Sequence, residues 1–88
     1  MDEQTYRAEA AAQGFQEPVV VEWEPGYSMA EHVHDFDARL FVLSGQISAT
    51  LPDRTVTCGP GDIFDYVAGT PHGESAGADG ATFLAARK

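Results

Sequence analysis

From Pro18 onward the chain is written in short apolar runs rich in β-branched and aromatic residues, each closed by Gly, Pro or Asp. The runs are Pro18–Glu24, Met29–His34, Arg39–Ser44, Gln46–Leu51, Arg54–Cys58, Asp62–Val67, His72–Ala76 and Ala81–Arg87. Between them stand Pro25-Gly26, Gly45, Pro52-Asp53, Gly59-Pro60-Gly61, Gly69-Thr70-Pro71 and the stretch Gly77–Gly80. Eight short runs at this spacing, with no helical crossover among them, predict an all-β antiparallel sandwich or barrel. The segment before Gly14 follows a different pattern. Asp2 is a capping residue, Glu3 and Arg7 are four apart, and Ala8–Ala12 is rich in the best helix former, so a helix is expected over Asp2–Gln13. Tyr6 and Ala10, with Phe15 beyond the stop, give it an apolar side for packing on the sheet or on a second copy.

Size and charge narrow the picture. Eighty-eight residues suit one domain, 1–88, with a helical segment at 1–15 and a β-barrel over 18–87. A barrel this small leaves sheet edges that natural proteins cover or pair, so a homodimer through an edge strand or the helix is expected. Fourteen acidic against five basic residues give a formal charge of −9, which speaks against nucleic acid and anionic membranes as partners. Cys58 is the single cysteine, so no internal disulfide can form and a cytoplasmic setting is the default. No signal peptide or membrane span is read from the sequence.

Candidate chemistry centres on the three histidines. His32 and His34 are two apart in an expected strand and therefore share a face, roughly 6.5–7 Å apart along it. Both rings can turn toward one ion lying between them. His72 follows the Gly69-Thr70-Pro71 turn and opens a later strand. Neutral imidazole is a common metal ligand, and a nitrogen-rich set suits Fe, Ni, Zn, Cu or Mn rather than Mg or Ca.

At this point the residues resemble the cupin superfamily. Its first motif runs Gly, five residues, His-x-His, then a Glu and a closing Gly; Gly26, His32, His34 and Gly45 stand at those places. The second runs Gly, five residues, Pro-x-Gly, two residues, His; Gly61, Gly69 and His72 match it. The resemblance implies an antiparallel jelly-roll β-barrel with a divalent transition metal ion held by His32, His34 and His72. It also implies a small-molecule ligand or substrate. Some cupins with three-histidine iron are dioxygenases acting on small anions; others are sensors or storage proteins, and fold alone does not choose between an enzyme and a binding barrel.

The departures are specific. Where the motif has its glutamate this chain has Ala38 and Arg39, and Val67 and Ala76 replace the second motif's Pro and Asn. Asp35 and Asp37 lie in the same loop and either reach the ion or cap nearby backbone, the second being preferred. Asp37 and Arg39 are candidates for substrate or outer-sphere contacts, Arg39 as an anion clamp or as Asp37's partner on the rim. No catalytic acid or base is identified. Cys58 reads as an inert core thiol.

Overall fold

The structure, a computed structural model, describes residues 1–88. It consists of a helix, α1 (Glu3–Ala12), and six strands: β1 (Val19–Trp23), β2 (Ser28–His32), β3 (Ala38–Thr50), β4 (Thr55–Cys58), β5 (Ile63–Tyr66) and β6 (His72–Arg87). All pairings are antiparallel. The order is β1-β6-β3-β4, with β2 added beside β6 and β5 beside β3.

Six strands replace the expected eight because two breaks in the pattern do not interrupt pairing. Gly45 lies inside β3, and Gly77–Gly80 lie inside β6. Gly45 and Gly80 both take a positive φ, 74° and 75°, and pairing shifts register on either side of Gly45. A Cβ on Gly45 would run into the Gly80 carbonyl. The two glycines let the two long strands bend at one place while remaining side by side.

The bend divides each long strand between two halves. The first half of β3 pairs with β5 and the second with β4. The start of β6 pairs with β2 and its end with β1. Inward residues of the two halves, among them Leu40, Val42, Ile47, Ala49 and Phe83, form one buried cluster. The antiparallel jelly-roll class is the one expected from the sequence, although the sheet stays open instead of closing into a barrel.

On the outside of β3 and β6, Tyr6 and Ala10 of α1 bury against Phe41, Leu84 and Ala86. Asp2 caps the helix by accepting from the Thr5 N–H at 2.7 Å, and Gly14 ends it at φ 86°. The Tyr6 hydroxyl donates to the Arg39 carbonyl at 2.6 Å. Burial pushes the Tyr6 phenol up to about 12. The apolar side of α1 is therefore used within this chain. No helix is long and apolar enough to cross a membrane.

Candidate metal centre

Three elements carry the site. His32 ends β2, where it pairs with His72 at the start of β6. His34 lies beyond the strand end, in the loop before β3, and its carbonyl accepts from the Gly69 N–H at 2.8 Å. Glu74, two residues after His72 on β6, joins them. One ligand atom from each of His32, His34, His72 and Glu74 falls within 4.8 Å of the others. Two metal–ligand bonds of about 2.1 Å placed across an ion span about 4.2 Å, so small side-chain rotations close this set on one ion.

Hydrogen bonding decides which ring atoms face inward. His32 Nδ1 lies 2.8 Å from the Ala30 carbonyl, and His72 Nδ1 3.0 Å from the Thr70 carbonyl. A carbonyl only accepts, so each Nδ1 carries a proton, and in the neutral ring each Nε2 presents a lone pair. Both Nε2 atoms are buried and lack a hydrogen-bond partner. Glu74 Oε1 lies 3.1 Å from His32 Nε2 and 3.5 Å from His72 Nε2. In the neutral rings these nitrogens carry lone pairs and no proton, so neither contact is then a hydrogen bond. Lone pairs converging on a carboxylate oxygen repel one another unless a cation sits among them. The donor set thus fits a metal ion.

Packing holds the ligands in place. Tyr66 on β5 donates its hydroxyl to Glu74 Oε2 at 3.1 Å, leaving Oε1 to face the imidazoles. Its ring stacks on His72, centroids 4.1 Å apart. Burial first, then the Glu74 charge, raises the Tyr66 phenol well above its ordinary range, so it stays a donor. His34 stacks on Phe36 at 4.6 Å. Its pKa is lowered, chiefly by burial and then by His32 and His72 beside it.

A cavity of about 210 Å³ opens from the cluster, walled by Trp23, Leu40 and Phe83 on one side and reaching His32, His34 and Glu74. Ala38 lines it, whereas Asp37 and Arg39 do not. Arg39 faces the helix, where its guanidinium meets Glu9 at 2.9 Å and Asp65 at 3.0 Å. Alternation along β3 sends Ala38 and Leu40 into the cavity and Arg39 away from it, so neither an anion clamp nor a pair with Asp37 is formed. Asp37 accepts from the Ala68 N–H at 2.8 Å, and Asp35 is exposed in the same loop. The carboxylate that joins the histidines is neither of these but Glu74. The rule that pairs His32 with His34 also pairs His72 with Glu74. Cys58 is buried in the core, and burial raises its thiol, with Asp62 adding to the effect.

The sequence matches the family model of the cupin domain over residues 19–85. No curated protein matches it. Among solved structures it is similar to KdgF from Halomonas sp., at 25% identity and TM-score 0.67, covering 80% of this chain and 67% of that one. It is similar to the oxalate decarboxylase of Bacillus subtilis, described with Mn(II) centres, at 26% identity and TM-score 0.73. That match covers 81% of this chain but 20% of the decarboxylase. A cupin superfamily protein of Desulfitobacterium hafniense, at 22% identity and TM-score 0.68, shares the fold over 76% of this chain and 61% of its own.

Proposed function

The chain belongs to the cupin domain family, and from that premise we propose that it binds one divalent transition metal ion through His32, His34, His72 and Glu74. We further propose that it acts there on a small organic anion admitted by the adjoining cavity. The observation that carries this reading is the pair of buried, unpartnered Nε2 atoms facing Glu74 Oε1. When bound, the ion supplies Lewis acidity toward an anionic oxygen and, if it is iron, manganese or copper, access to oxygen chemistry. Three neutral rings and one carboxylate leave a divalent ion with a net charge of +1, which still favours an anion. The chain's own part is to orient. Tyr66 fixes Glu74, the Ala30 and Thr70 carbonyls fix the ring tautomers, and Trp23, Leu40 and Phe83 keep water from most of the cavity wall.

A dioxygenase-like reaction is the specific form proposed. A non-catalytic sensor barrel is the alternative, favoured by the lack of any side chain beyond the ligands and Tyr66 placed to move a proton at the site. Elemental analysis should find about one equivalent of metal, lost on His32→Ala, His34→Ala or His72→Ala; equal content in all four proteins refutes the metal reading. Oxygen uptake by iron-loaded protein offered small carboxylates and β-diketones supports the enzyme. Binding without uptake selects the sensor.

A homodimer in a cytoplasmic setting completes the reading. Val19 and Val20 on β1 are 55% and 61% exposed, and β1 is bonded on one side only, to β6. Light scattering should report a dimer for the wild type and a monomer for Val20→Lys. A monomeric wild type at high micromolar concentration refutes it.

A further inference from the structure

Arg87 ends β6, and the alternation Phe83, Ala85, Arg87 sets all three side chains along the cavity. Its guanidinium carbon lies 4.6 Å from the centre of the Phe36 ring, a cation–π distance, and that ring stacks in turn on His34. A positive charge is thus held at the same cavity that reaches the histidines. Among the four arginines of a chain with fourteen acidic residues, Arg87 alone has no carboxylate partner. Arg7 meets Glu3, Arg39 meets Glu9 and Asp65, and Arg54 meets Asp53. Arg87, exposed at the rim of the cavity, forms no ion pair with a carboxylate, and its guanidinium lies over the Phe36 ring.

Resting on the metal reading above, we propose that Arg87 and Phe36 form a subsite that binds the carboxylate of a small organic anion whose other end points to the metal ligands. A guanidinium presents two parallel N–H groups that match the two oxygens of a carboxylate. One cation suits a monoanionic group. A phosphate dianion would need further donors, in a protein whose net charge of −9 already repels it. The lining that the cavity shares with Arg87 and Glu74 is largely apolar, with Val21, Trp23, Leu40 and Phe83 among its residues, and accepts a short hydrocarbon body. The cavity of about 210 Å³ corresponds to about seven water volumes, room for a chain the size of butyrate.

Trp23 is the single tryptophan and lines this cavity, so its fluorescence reports occupancy. Butyrate, butyramide and inorganic phosphate are titrated into zinc-loaded and metal-free protein, for the wild type, Arg87→Gln and Arg54→Gln. Arg87→Gln should bind butyrate at least about tenfold more weakly, the size expected for a lost charge-assisted hydrogen bond. Butyramide should bind both proteins alike, and phosphate should bind more weakly than butyrate. Arg54→Gln, which changes net charge equally, should behave as wild type. Equal butyrate affinity in wild type and Arg87→Gln overturns the subsite, as does an equal loss in Arg54→Gln or no saturable butyrate binding. Zinc content of the same samples is measured separately. Protein without zinc overturns the metal reading, while the effect of Arg87 in metal-free protein decides the subsite independently.

Discussion

Glu74 gives one oxygen to a phenol and turns the other toward two lone pairs, which makes it the informative position at the residue scale. Glu74→Gln keeps the shape and removes the charge, and should weaken metal binding by at least about a hundredfold. Tyr66→Phe leaves the ligand but frees it to rotate, and should cost about tenfold, as for groups that orient a ligand. Competition with a chromophoric chelator measures both; a larger loss for Tyr66→Phe would mean that Glu74 is not a ligand. His34 adds a pH dependence. Its folded-state pKa lies below the ordinary value of 6.5, so the native state binds fewer protons than the unfolded state between the two values, and stability rises with pH there. Metal-free protein should keep this contribution above about pH 6.5 and lose it as pH falls toward the folded-state value. Urea midpoints from pH 7.5 to 5 should slope less in His34→Gln than in wild type; identical slopes would assign the effect elsewhere. The histidines themselves are legible from motif spacing. Glu74 is not, because the motif points to positions 38 and 39 and the adjoining loop for a carboxylate, whereas strand alternation places one beside His72.

At the scale of elements, Gly and Pro mark most of the strand ends. β1, β4, β5 and α1 fall within a residue or two of the segments the pattern suggests. The errors share one cause. Gly45 and Gly80 look like stops in the pattern, yet a glycine with positive φ can bend a strand without breaking its ladder. Where two such glycines face each other across a pair, neither sequence segment alone reveals that the partner continues. Gly45→Ala tests this directly. It combines an unfavourable φ with a Cβ aimed at the Gly80 carbonyl, and should cost about 3 kcal/mol or more in chemical unfolding. Gly14→Ala has the same sign of φ but open space around it, and should cost about 1 kcal/mol. Equal costs would show that the close approach at the bend contributes nothing.

For the whole molecule, the open topology places β3 and β6 at the centre and every other strand at an edge. That arrangement has a consequence in time. β3 and β6 are not joined by a hairpin, since β4 and β5 lie between them in sequence. The chain must close a long loop before the pairing that supports the other strands exists, and non-local pairing of this kind slows folding. The barrier should therefore be crossed with β3 and β6 already aligned and the flanking strands still loose. In stopped-flow refolding, Val42→Ala, at a site 1% exposed on β3, should slow the folding arm. Val56→Ala on β4 should mainly speed unfolding. Equal movement of both arms in both variants would mean that the sheet assembles all at once. If the two long strands do align first, His72 and Glu74, two residues apart on β6, are set in place early. His32 and His34 arrive with β2 and its loop, so a metal ion present during refolding should speed a late step more than the first.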